Sequence, residues 1–180
     1  MEKTKLESVT LNEETLAKIA NLQAINPDGT EAEEKVKNVV GNFYRYLLFQ
    51  LENEQYGINI NYIVEIISYQ EVTHLPGMPR FVRGLMNLRG KIIPVIDARE
   101  KFGKQKAIYN DKTCIVVLQV EEIIVGLIVD TISDVISVNE NVLEEAPKIG
   151  KIKTNKYINN IAKINNEVKL LIDCEKLINE

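Results

Sequence analysis

The sequence predicts a mainly β protein, a small barrel or sandwich built twice over. From Phe43 onward, short apolar or alternating segments recur at intervals of about 8 to 12 residues with turn signals between them. They also repeat in order: Phe49-Gln50-Leu51-Glu52 followed by Tyr56-Gly57 matches Leu118-Gln119-Val120-Glu121 followed by Val125-Gly126, 69 positions later. Further on the offset becomes 76, where Leu88-Arg89-Gly90 corresponds to Ile164-Asn165-Asn166 and Val95-Ile96-Asp97 to Leu171-Ile172-Asp173. The expected organisation is therefore an extension over 1–42, a first β unit over 43–110 and a second over 111–180, with strand exchange between the units left open.

Residues 1–42 differ from the rest, carrying eight acidic residues and five lysines. Leu16, Ile19, Ala20 and Leu22 fall at helical spacing behind Asn12-Glu13-Glu14, which places acids in the first turn of an amphipathic helix. Asn26-Pro27-Asp28-Gly29 is a turn, and Ala32, Val36, Val39 and Val40 make a thinner stripe after it. The extension reads as a partly helical or mobile leader.

Strand periodicity begins at Phe43–Leu51, resumes at Tyr56–Ile60 after a polar turn, and continues through Ile63–Tyr69. Pro76, Gly77 and Pro79 stiffen the connection that follows. The chain then turns on the stretch Gly84–Gly103. Asn87 and Gly90 bracket a tight corner, and Arg89 at that corner is a planar five-donor cation suited to recognition. Lys91–Ile96 is an apolar run containing Pro94, which predicts an edge or bulged strand. The second half gives strands over Thr113–Val120, Ile123–Val129 and Ile132–Val138 and a long loop over Asn141–Lys156. Tyr157–Ile164, Val168–Ile172 and a last helical turn at Asp173–Ile178 close the chain.

Composition excludes several function classes. With 180 residues and 45% hydrophobic content a core is assured, while a net charge of -4 with interspersed signs opposes a nucleic-acid partner. Cys114 and Cys174 sit in apolar strand-like runs and read as reduced core thiols, with His74 the sole imidazole. No signal-peptide h-region or membrane span is expected. Asp97 and Asp173 each precede a short helical pattern, so capping accounts for them better than metal binding. Neither a catalytic group, a metal site nor a cofactor site is expected; the glycines have no phosphate-loop spacing. Two weaker readings compete with a binding module: a small hydrolase using His74 with a carboxylate, and an SH3-like nucleic-acid binder. Ile58, Ile60, Val95 and Ile96 read as core. Among Ile63, Ile66, Phe81, Val82, Leu85 and Met86, some are expected to stay exposed as a docking patch.

Tyr56-Gly57-Ile58, Val64-Glu65-Ile66, Leu75-Pro76, Pro79-Arg80-Phe81-Val82-Arg83-Gly84, Asn87-Leu88-Arg89-Gly90 and Ile93-Pro94-Val95-Ile96-Asp97 together resemble the CheW-like coupling proteins of bacterial chemotaxis, from about Tyr46 to Ile178. The resemblance implies two five-stranded SH3-like barrels packed together with short helices. It also implies a non-enzymatic, cytoplasmic scaffold joining the signalling tips of chemoreceptors (methyl-accepting chemotaxis proteins) to the regulatory domain of the chemotaxis histidine kinase. Such a protein associates with membrane-receptor arrays through protein contacts alone. Carried over by motif, Glu65, Asn87, Leu88, Arg89 and Gly90 are the receptor-binding residues, with Ile63, Ile66, Leu85 and Met86 as apolar interface. For the kinase face, family precedent points to parts of Val116–Gly126 or to the Ile132–Val138 edge.

Overall fold

The structure, a computed structural model, describes residues 42–106, 108–147 and 155–180. The helix expected behind Asn12, and the rest of the leader up to Gly41, lie outside them.

Two hairpin units succeed each other along the chain. The first comprises β1 (Phe43–Leu51), β2 (Glu54–Asn59), a 3-10 turn at Ile60–Tyr62, β3 (Ile63–Ser68), β4 (Val82–Leu88), β5 (Lys91–Asp97) and the short helix α1 (Ala98–Lys101). The second comprises β6 (Cys114–Val120), β7 (Ile123–Val129), β8 (Thr131–Asn139), a 3-10 turn at Glu140–Val142, β9 (Leu143–Glu145), β10 (Ile158–Ile164), β11 (Glu167–Ile172) and α2 (Cys174–Asn179). β9 lies inside the stretch expected to be a loop. Three residues, two of them glutamates, give no alternation to read, and their pairing with β10 supplies what the local pattern lacks.

Neither sheet is made from one half of the chain. One has the order β8-β1-β2-β11-β10-β9 and the other β3-β6-β7-β5-β4. Each half thus sends its first hairpin into the other half's sheet, and the two sheets share one topology. β2 runs parallel to β11 with Gly57 opposite Leu171, and β7 runs parallel to β5 with Gly126 opposite Val95. The offsets of 69 and 76 hold down to the irregularities. Bulges fall at Val64 in β3 and Ser133 in β8, and again at Arg83 in β4 and Asn159 in β10. In both first hairpins a glutamine amide donates to a turn carbonyl, Gln50 to Glu52 at 2.7 Å and Gln119 to Glu121 at 2.9 Å. Asp97 and Asp173 cap α1 and α2, accepting the backbone N–H of Glu100 and Lys176.

The sheets are open rather than ladder-closed barrels: among the described residues no hydrogen-bonded ladder joins β3 to β4 or β8 to β9. Each has its own core. Met86, Ile93, Val95, Ile115, Val117 and Ile128 fill the five-stranded one, and Tyr46, Val138, Ala162 and Leu171 part of the six-stranded one. Tyr46 to Phe49 in β1 and Cys114 to Leu118 in β6 are buried without a break, so both faces of these strands are covered. Full burial of a side chain such as Ile58 or Leu118 stabilises by roughly 1.5–3 kcal/mol. Rings of Phe49, Tyr56, Phe102 and Tyr157 follow one another at centroid spacings of 5.8, 5.2 and 5.7 Å, linking the β1–β2 hairpin to the end of α1 and the start of β10.

β5 is an interior strand, contrary to the expectation drawn from Pro94. The reason is local. Pro94 pairs with Leu85, whose N–H and C=O both turn away to Thr73 at 2.8 Å, so β4 asks nothing of the proline nitrogen. On the other side the parallel ladder with β7 begins only at Val95. The missing donor therefore costs no hydrogen bond.

Candidate functional site

The corner between β4 and β5 is a two-residue turn with positive φ at both central positions, 52° at Arg89 and 87° at Gly90. That geometry suits the right-handed twist of a hairpin. The Asn87 side chain fixes it by accepting the Gly90 N–H at 2.8 Å. Asn165 and Asn166 occupy the same two positions in the β10–β11 hairpin, with φ of 51° and 64°, so the backbone is conserved between modules and the cation is not.

Arg89 reaches from this corner to Glu65 on β3, with Nε to Oε1 at 3.2 Å and Nη2 to Oε2 at 3.0 Å. β3 and β4 are opposite edges of the five-stranded sheet. The sheet curls until side chains at its two edges touch, and an ion pair bridges a gap that no backbone ladder closes. The Arg89 side chain remains 80% exposed while that of Glu65 is 21% exposed. The carboxylate, by hydrogen bond and then by charge, raises the arginine's already high pKa. A guanidinium held in one orientation with its outer face in water can direct donors toward a partner.

The remaining sequence-predicted residues sort by exposure. Asn87 and Gly90 are exposed; Leu88, Ile63, Ile66 and Leu85 are half-buried. Met86 is only 5% exposed and belongs to the core of the five-stranded sheet, facing Ile93 across the hairpin, so it offers little free surface. An open depression of about 440 Å³ beside the corner is lined by Gln70, Thr73, Leu85, Met86, Asn87 and Ile92.

Two exposed apolar residues were not singled out by the sequence reasoning. Val64, 49% exposed, is thrown outward by the β3 bulge next to Glu65, and Ile92, 62% exposed, stands opposite Asn87. For Ile92 a signal existed. Ile93 and Val95 take one face of β5, so an apolar residue at position 92 must lie on the other, whereas a half-solvated strand would be polar there.

The other chemistry-bearing side chains lie away from this corner or are buried in the core. Cys114 and Cys174 are buried and His74 is exposed. Asp97, 1% exposed, accepts the Tyr109 hydroxyl, and burial together with that carboxylate raises the Tyr109 pKa. No group of three metal-ligating side chains comes together among the described residues, and none of their helices is long and apolar enough to cross a membrane.

A family model described as the CheW-like domain matches residues 45–180. The chain is 37% identical over 133 residues to the chemotaxis protein CheW of Klebsiella aerogenes, covering 74% of this chain and 80% of that one. It is 31% identical over 136 residues to the chemotaxis protein CheW of Bacillus subtilis, covering 76% and 87%. The solved structure of the scaffolding protein TtCheW from Thermoanaerobacter tengcongensis superimposes with a TM-score of 0.67 at 34% identity, covering 72% of this chain and 88% of that one. The family model, the relatives and the superposition agree, and the chain belongs to the CheW-like family of non-enzymatic chemotaxis scaffold proteins.

Proposed function

We propose that this adaptor joins the signalling tips of chemoreceptors to the regulatory domain of the chemotaxis histidine kinase, working in the cytoplasm and reaching receptor arrays through protein contacts. The observation that carries the receptor half is the Glu65–Arg89 pair: a bidentate ion pair at a sheet edge, with the arginine 80% exposed and apolar Val64 and Ile92 on its flanks. Oriented charge beside exposed apolar surface gives register and partner choice to one and area to the other. Asn87, Leu88 and Gly90 shape the corner, and Ile63, Ile66 and Leu85 lie behind it.

For the kinase face, burial narrows the two stretches raised by the sequence. Within Val116–Gly126, Val116, Val117 and Leu118 are fully buried and only Gln119, Glu121, Glu122 and Ile123 are exposed, whereas β8, which contains Ile132–Val138, is a sheet edge along its length with Val135 and Ile136 half-buried. The β8 edge is the better kinase-binding surface of the two.

The deciding experiment titrates a receptor-tip fragment and, separately, the kinase regulatory domain against the wild-type chain and Arg89→Ala. Weaker receptor binding with kinase binding and melting temperature retained is expected. Unchanged receptor affinity in the folded variant overturns the assignment of the corner.

A further inference from the structure

The duplication places equivalent positions at two sites that are filled differently. In the first module Asp97 opens α1 and accepts the Tyr109 hydroxyl, and Arg83, at the β4 bulge, holds its guanidinium carbon 5.6 Å from the centre of the Tyr109 ring. At the offset of 76, Asp173 stands for Asp97 and Asn159 for Arg83, again at a bulge. No arginine lies at that position in the second module. Instead a pocket of about 260 Å³ opens there, lined by Tyr46, Tyr62, Asn159, Asn160, Asp173 and Glu175 among others.

The lining is rich in acceptors and poor in cations. Both charged residues in it are carboxylates. Tyr62 donates its hydroxyl to Glu175 Oε1 at 3.3 Å, and Asp173 Oδ2 meets Lys176 Nζ at 2.9 Å from outside the pocket. Each carboxylate can accept about four hydrogen bonds, so both retain capacity. Tyr46 adds a second observation: it is 8% exposed and lines the pocket, and its hydroxyl has no protein hydrogen-bond partner among the described residues. Burial raises the pKa of that phenol, with Tyr44 and Cys174 adding to the effect. A phenolic oxygen at the pocket wall without a protein partner is free to accept a hydrogen bond from a bound donor.

We propose that this pocket binds a guanidinium group, the moiety that Arg83 places over Tyr109 in the first module. A planar cation with five donors can meet two carboxylates and a phenolic oxygen together while lying against tyrosine rings. An ammonium offers three donors from a single point and no face to stack. The group can come from an arginine side chain of a protein partner or from free arginine.

The test uses the full chain, isotope-labelled for nuclear magnetic resonance and titrated with N-acetyl-arginine methylamide, free L-arginine and N-acetyl-lysine methylamide. Saturable shifts at the Asn159 and Asn160 side-chain amides are expected, with the capped arginine bound more tightly than the capped lysine. Tyr46→Phe, which keeps the ring, and Glu175→Gln, at an exposed position, should each weaken binding roughly tenfold. Asn159→Arg, which restores the first module's residue, should abolish it. Preference for the capped arginine over the free amino acid assigns the site to a protein-borne arginine, and the reverse preference to the metabolite. Shifts that do not saturate, equal affinity for the lysine compound, or Glu175→Gln binding like wild type overturn the proposal.

Discussion

Arg99 and Asp130 form a two-bond ion pair, Nε to Oδ1 at 2.6 Å and Nη2 to Oδ2 at 2.5 Å, at the junction of the two modules. Arg99 lies on α1 behind the five-stranded sheet, and Asp130 sits where the chain leaves β7 for β8 in the other sheet. Asp130 also accepts the backbone N–H of Glu52 at 2.8 Å, and the Glu52 carboxylate lies 3.4 Å from Arg99 Nη1. Both ion-pair side chains are about one-fifth exposed, at 19% and 22%. Asp130→Ala leaves the largely buried guanidinium with Glu52 as its one remaining carboxylate and strands the Glu52 N–H, and should lower unfolding free energy by about 2–4 kcal/mol, read as a lower urea midpoint at unchanged slope. The double variant Arg99→Met/Asp130→Ala should recover part of that loss. If it is no more stable than the single variant, the stranded charge is not the cause.

Glu65 and Arg89 form a pair of a different kind, in which the Glu65 side chain is as covered as that of Asp130 but the Arg89 side chain is 80% exposed, so solvent screens the pair from one side. Exchanging them as Glu65→Arg/Arg89→Glu should leave melting near wild type, because the pair can re-form across the same gap. Receptor-tip affinity should nevertheless fall at least as far as in Arg89→Ala, since the outward charge is then negative. Wild-type affinity in the exchanged protein would mean that the pair only holds the sheet edges together and does not touch the receptor.

Much of this architecture was legible because its causes are local. The Asn87-Arg89-Gly90 corner, the Asp97 and Asp173 caps and the repeat offsets each rest on a few neighbouring residues, and each has its counterpart in the structure. The exchange of hairpins between sheets was not readable. β1 and β6 carry the same pattern, and pairing β1 with β8 or β6 with β3 changes no local signal. Pro94 misled for a related reason: its missing donor matters only if a neighbour asks for it, and Leu85 bonds Thr73 instead. At the corner, Glu65 and Arg89 were visible as residue types, but their contact depends on a curl of the whole sheet. Asp130 gave no signal of its own, because its partners Arg99 and Glu52 come from other hairpins.

Gly84 and Gly90 should respond very differently to alanine. At Gly90, φ is 87° and an added Cβ meets nothing within 4 Å, so only the intrinsic left-handed penalty of about 1 kcal/mol applies. At Gly84, φ is 148° and the added Cβ would lie 2.1 Å from the Thr73 carbonyl oxygen and 2.7 Å from its carbon. The Thr73–Leu85 bridge must then break, and the β4 bulge must shift. Gly84→Ala is expected to cost about 3 kcal/mol or more. Thermal melts of the two variants side by side check this, and equal costs would mean that Thr73 does not cover the β4 edge.

Cys174 supplies a pH-dependent contribution of known sign. It is 1% exposed, and burial, reinforced by Asp173 and Glu175, pushes its thiol from an ordinary 9.0 up to about 12. Below pH 9 folded and unfolded chains both hold the proton, and the contribution is fully present. Above pH 9 the unfolded thiol ionises while the folded one does not, so the unfolded chain binds fewer protons and stability falls, with the loss complete once pH passes about 12. The slope is at most about 1.4 kcal/mol per pH unit for one group. Burial raises the Cys114 thiol in the same direction, so the wild type should weaken in alkali more steeply than one thiol accounts for. Cys174→Ala removes only its own share. Its stability deficit measured by urea unfolding at about pH 8 should therefore shrink by more than 1 kcal/mol at about pH 10.5. A deficit that stays constant across that interval would show that the folded thiol ionises together with the unfolded one.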